Sequence, residues 1–188
     1  MYRTVTTILA LGLTVALAGA GCGSSSEPDK TLKDFLPASG DVPGWLENTD
    51  RGEVGVETTV DPTEATDWVN GAMDLFLQSG GWKGLGREFY INGQQRINLV
   101  IHEWIDAAAA TKGYQDLDTY HADDIPDWTD LSLGAGETGC RIGRVGSYYW
   151  YVNAQKSKYL IETTTEPSDA AAETAAKDFV EAVLNKIP

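Results

Sequence analysis

One segment, Gln95 to Ile105, limits the folds open to this chain more than any other. In extended conformation its side chains alternate, placing Ile97, Leu99, Ile101 and Ile105 on one face and Val100 and Trp104 on the other. A strand apolar on both faces has to be covered on both. It is therefore expected at the centre of its sheet, with packed elements above and below.

The neighbouring segments supply those elements. Arg87 to Ile91 reads as a strand joined to Gln95–Ile105 by Asn92-Gly93, a dipeptide suited to a type I′ hairpin turn. Thr138 to Arg144, Tyr148 to Ala154 and Tyr159 to Thr165 form a meander, linked by Gly146-Ser147 and by a turn over Gln155–Ser157. Val54 to Val60 reads as a further short strand. Asp61 as N-cap, Pro62 at the first helical position and Glu64 three residues after the cap open a helix that should run to about Gln78. Its apolar face comprises Ala65, Trp68, Val69, Ala72, Leu75 and Phe76, and Ser79-Gly80-Gly81 ends it. Asp106 caps a second helix, Ala107 to about Tyr120, followed by an acidic loop from His121 to Asp130. Ser168 caps the last helix, with Ala172, Ala175, Ala176, Phe179, Val180, Val183 and Leu184 at helical spacing. Leu32 to Trp45, with Pro37, Gly40, Pro43 and Gly44, reads as an irregular lead-in. The order α-β-β-α-β-β-β-α lacks regular βαβ alternation. It predicts an α+β fold with a mostly antiparallel sheet of about five to six strands and packed helices.

The amino terminus has a different character. Residues 1–21 read as an export signal: Arg3 is the sole charge, and an apolar run from Ile8 to Ala20 is too short to span a bilayer comfortably. Leu17-Ala-Gly-Ala-Gly-Cys22 resembles the lipobox of bacterial lipoproteins, although the family favours a branched residue where Gly19 stands. The resemblance implies that Cys22 receives a diacylglyceryl group and becomes the mature amino terminus, carrying the palmitate-type acyl chains of such lipoproteins. An ordinary secretory cut after Ala18 or Ala20 is the alternative. Residues 22–31 then form a lipidated cysteine and flexible tether, and 32–188 a single globular domain. The expected location is the cell envelope, anchored to a membrane and facing outside the cytoplasm.

Charge narrows the partners. The chain carries −14 at neutral pH, and losing Arg3 with the signal makes it more acidic still. Such a surface repels phosphate backbones, so nucleic acid is excluded as a partner. Six Trp and eight Tyr with 42% apolar residues argue for a packed domain. Cys140, with no cysteine partner once Cys22 is lipidated, reads as a small core residue.

Trp68-Val-Asn70-Gly71-Ala72-Met-Asp-Leu75-Phe76 resembles a motif of an uncharacterised family of bacterial exported proteins: an aromatic-x-Asn-Gly-Ala segment, then a hairpin strand, a helix and a Gly-rich meander with paired aromatics. The corresponding pieces are Ile97–Ile105, Leu133-Gly134 and Tyr148-Tyr149-Trp150-Tyr151. Asp74 ahead of Leu75 and Phe76 departs from the acidic-aromatic pair usual there. The resemblance implies an exported setting and this fold, and it brings no activity with it.

Chemistry-bearing patterns are sparse. His102 and His121 sit in no metal-binding motif, and His102 and Glu103 point to opposite faces of a strand. Asp123, Asp124, Asp127 and Asp130 lack the spacing of an EF-hand, leaving a solvated acidic loop as the first reading and calcium as the second. No nucleophile elbow is present, and no cofactor is expected. Gly134-Ala-Gly136 and Gly139 read as a turn and bulge. Asn70-Gly71 in mid-helix is locally unfavourable, by about 1 kcal/mol for the glycine, which suggests close packing or a ligand near the backbone. Tyr149 and Tyr151 share one strand face, opposite Tyr148 and Trp150. The leading functional reading is a non-enzymatic, lipid-anchored domain for binding or assembly with an unknown protein or small molecule. The alternative is a small-ligand carrier whose cleft, between the sheet and the Asp61–Gln78 helix, takes Trp68, Asn70, Gly71, Trp104, Tyr149 and Tyr151 as its candidate lining. A hydrolase ranks third.

Overall fold

The computed structural model describes residues 30–49, 57–69 and 72–188. The export signal, Cys22, most of the tether, Asn70 and Gly71 lie outside the described residues, as does Val54 to Val56. Thirteen elements follow in order: α1 (Leu32–Phe35), β1 (Leu46–Glu47), β2 (Glu57–Thr59), α2 (Pro62–Val69), α3 (Ala72–Ser79), β3 (Trp82–Asn92), β4 (Gln95–Trp104), α4 (Ala107–Tyr120), β5 (Thr129–Asp130), β6 (Gly139–Val145), β7 (Tyr149–Lys156), β8 (Tyr159–Glu166) and α5 (Ala170–Lys186).

The strands form one antiparallel sheet in the order β1-β3-β4-β8-β7-β6-β5, with β2 also paired to β3. β4 lies between β3 and β8, as its doubly apolar pattern requires. On one face Ile97, Leu99 and Ile101 join Phe179, Val180, Val183 and Leu184 of α5 in a core that also takes in Phe35 and Trp45. On the other, Val100 and Trp104 join Leu85 and Leu160 beneath Ala65, Ala72, Met73, Phe76, Ala110 and Leu117 of α2, α3 and α4. The protein thus has three layers. All seven apolar positions assigned to the last helix are buried, each large one worth about 1.5–3 kcal/mol relative to exposure.

The structure alters the expected architecture in several places. The sheet has eight strands rather than five or six because β1 and β5, two residues each, pair with sheet edges; so short a segment has no alternation to detect. Four residues of the lead-in are helical: in α1, Asp34 accepts from the Thr31 backbone N–H at 2.7 Å and its hydroxyl at 2.8 Å. Within the expected Asp61–Gln78 helix the described residues are helical, as α2 and α3, and Asn70-Gly71 lies outside them; Asp61 caps α2 by accepting from Thr63 N–H at 2.8 Å. The hairpin turn is centred one residue later than expected. Asn92 pairs with Gln95, leaving Gly93-Gln94 as the central residues, and Gly93 at φ 62° occupies the first of them, where a type II′ turn takes its glycine. Ile105, expected as a buried strand residue, lies past the end of β4 and is 62% exposed. Asp169, not Ser168, caps α5, accepting from Ala172 N–H at 2.8 Å. Ser168 instead accepts from Arg144 and donates to the Ser147 carbonyl.

Candidate functional site

The face of the sheet under α2, α3 and α4 is incompletely covered. Where α2 ends and α4 ends, a cavity of about 290 Å³ opens between them, floored by β4, β8 and β7. Strand alternation builds the floor: Asn98 and Val100 from β4, Glu162, Thr164 and Glu166 from β8, and Tyr149 and Tyr151 from β7 all point to this side. Trp68, Val69 and Ala72 form one wall, and Tyr120, His121 and Asp124 the other.

Each wall is held in place. Arg87 of β3 lies 4.3 Å from the centre of the Trp68 ring and is ion-paired with Glu57. His121 closes α4, donating its backbone N–H to Leu117 at 3.0 Å. Its ring stacks at 4.6 Å from Tyr151 and 4.9 Å from Tyr120. The loop beyond is anchored by Ile125, 1% exposed, and by the Trp128 ring, 5.9 Å from Tyr151.

Beneath the cleft runs a buried polar chain. Trp82 Nε1 donates to His102 Nδ1 at 3.1 Å, and His102 Nε2 lies 2.9 Å from Glu162 Oε1. The Tyr151 hydroxyl donates to the other carboxylate oxygen of Glu162. Burial works to raise the Glu162 carboxyl, but His102 and Tyr151, with His121 beyond them, outweigh it and hold that carboxyl below the usual range. Burial and the neighbouring Glu162 push the Tyr151 hydroxyl well up. Tyr149 is raised by burial, then by Asp124 and Glu166. His121 is lowered by burial, against the pull of Glu162 and Asp124. The same carboxylates therefore act on His121, Tyr149 and Tyr151. The lining described has three carboxylates and no Lys or Arg.

Of the candidate lining residues, Trp68, Tyr149 and Tyr151 meet in this cleft. Trp104 does not. It is fully buried in the core under α3, its ring 5.4 Å from Phe76, because residue 104 sits at the far end of β4, four residues beyond Val100 of the floor. Asn70 and Gly71 lie outside the described residues. Tyr148 is outside β7 and 74% exposed, while Trp150 on the opposite face donates to the Asp169 carbonyl at 3.0 Å. Cys140 is 4% exposed in the α5-side core, its thiol pushed up to about 12 by burial. Glu137 binds the turn ahead of β6, accepting from Gly134 and Ala135 N–H groups at 3.2 and 2.9 Å. Among the described residues no group of three or more His, Cys, Asp or Glu side chains could hold a metal ion.

Tyr120, His121, Asp124 and Glu166 were not legible as site residues, and Glu162 was one carboxylate among many. A signal existed in Glu162, Thr164 and Glu166: they alternate on one face of a strand and keep it polar where a covered strand would be apolar.

No protein-family description matches the chain. No curated protein matches it. Two solved structures are similar at a low level. The extracellular domain of PknH from Mycobacterium tuberculosis is 9% identical, covering 79% of this chain and 79% of that chain at a TM-score of 0.38. An uncharacterised protein from Mycobacterium smegmatis is 10% identical, covering 85% of this chain and 98% of that chain at a TM-score of 0.37. Likeness of this degree says nothing about activity.

Proposed function

We propose that this protein is a non-enzymatic small-molecule-binding domain, held at the outer side of a membrane by a lipid on Cys22 and taking its ligand in the cleft between α2, the end of α4 and the sheet. One observation carries the reading. Helices fill two cores against the sheet, yet this part of one face forms a concavity that presents Trp68, Tyr149 and Tyr151 together. A surface that served only for assembly would have no reason to keep aromatic side chains in a concavity. The polar groups favour holding over reacting. Glu162 is engaged by His102 and Tyr151, and the tyrosine hydroxyls stay protonated at neutral pH. The export signal and tether account for the location.

Native mass spectrometry of the full-length protein, extracted from its own host in non-ionic detergent, tests this. A co-purifying small molecule is expected, and Trp68→Ala with Tyr149→Ala should remove it. Ligand-free protein from every growth condition, or an adduct that the double variant retains, would refute the reading.

A further inference from the structure

The chemistry of the cleft goes further than its shape. We infer that its ligand is an organic cation, an ammonium or similar group attached to an apolar body, taken up by a cage of aromatic faces and carboxylates. This rests on the proposed binding role of the cleft.

Three observations converge. First, the rings of Trp68, Tyr120, Tyr149 and Tyr151 line one concavity, and ring faces carry the negative end of the aromatic quadrupole. Second, Asp124, Glu162 and Glu166 line the same concavity, with no lysine or arginine among its described lining. The nearby cations do not line the cleft, although Arg87 lies 4.3 Å from the centre of the Trp68 ring. Arg87 is paired with Glu57, and Arg141 is paired with Asp118 and donates to Asn153 Oδ1 at 3.0 Å. Arg96 faces the adjoining depression that it shares with Glu166. Third, Glu162 lines the cleft at 8% exposure, its Oε2 accepting from the Tyr151 hydroxyl and its Oε1 2.9 Å from His102 Nε2. Held ionised by His102 and Tyr151, this carboxylate adds a negative field to the floor of the cleft, which favours a positive ligand there.

Alternative ligand classes fit less well. An anion would meet three carboxylates. A metal ion would require several oxygens converging at short range, whereas this cleft is walled by rings. A neutral apolar molecule would find the floor too polar, with Asn98, Glu162 and Thr164 side by side across β4 and β8. At about 290 Å³ the space matches the lower end of the ~300–1,000 Å³ typical of small-molecule sites.

Calorimetric titration of the full-length protein in non-ionic detergent decides the matter, with detergent blanks subtracted. The probes are benzyltrimethylammonium, benzyl alcohol and phenylacetate, which share a ring and differ in charge. The cation alone should bind, and Asp124→Asn with Tyr149→Leu should raise its Kd by about tenfold or more. Both positions are at the cleft edge and outside the two cores, and thermal melting of the variant confirms that it folds. Equal binding of benzyl alcohol or phenylacetate, or an unchanged Kd in the folded variant, would overturn the cationic assignment while leaving the cleft a binding site. If no probe binds but an uncharged or anionic molecule co-purifies and is lost with Trp68→Ala and Tyr149→Ala, the cation inference fails alone. If no probe binds and nothing co-purifies, both fall together.

Discussion

At the scale of single residues, partly buried His121 and buried Glu88 each make the stability of this domain depend on pH. His121 is held below its ordinary 6.5 by burial. The unfolded chain therefore takes up a proton at a pH where the folded protein does not. Stability is fully present above about pH 6.5 and declines as pH falls from there to the lowered folded value. His121→Phe should flatten that decline, read as urea midpoints between about pH 7.5 and 5; an unchanged slope would assign the sensitivity to another group. Glu88 behaves in the opposite sense. It is 2% exposed on the α5 side of β3, accepts from Phe89 N–H at 3.1 Å through one oxygen and leaves the other unbonded. Burial raises its carboxyl, so the unfolded chain ionises first and the folded state loses stability as pH rises from about 4.5 through the raised value. Glu88→Gln should stabilise the protein at neutral pH by about 1 kcal/mol, with the gain vanishing in acid. Equal stability at pH 7 would contradict this.

At the scale of elements, the loop between α4 and β6 is the part that makes the cleft. It carries His121 and Asp124 on one side and Ile125 and Trp128 beneath, and it packs directly on β6 where Gly143 leaves room. A Cβ at Gly143 would fall inside the contact distance of Ile125 Cγ2 and about 3.0 Å from Trp128 Cε3. Gly143→Ala should therefore cost about 1–3 kcal/mol in chemical denaturation and weaken ligand binding in the molecules that still fold. A variant of wild-type stability would show that the loop is free to move aside. The helices were legible because their signals are local. Asp106 accepts from Ala109 N–H at 2.8 Å, and α4 spans Ala107–Tyr120 as its cap and spacing predict. The cap of α5 differed by one residue because Ser168 is drawn away by Arg144 and Ser147, which lie more than twenty residues earlier in the chain.

At the scale of the whole molecule, an acidic three-layer domain is proposed to stand off a membrane on a short tether. Cys22→Ser should shift the protein from the membrane to the soluble fraction on cell fractionation, and continued membrane association of that variant would exclude the lipid anchor. No described helix is long and apolar enough to cross a membrane.

The sequence by itself determined the α+β class, the central place of β4, the meander and the buried stripe of α5. Each follows from periodicity within one segment, where side-chain direction is set by local backbone geometry. Tertiary structure alone decided the cleft, because an opening is defined by what does not cover it. Nothing in Trp68, Asp124 or Glu162 taken singly reveals that they line one concavity over the sheet. Nor does the strand pattern of Trp104 distinguish a ring in the core from one in a binding site; its position four residues past Val100 on β4, under Phe76 and not beside Tyr151, made that choice.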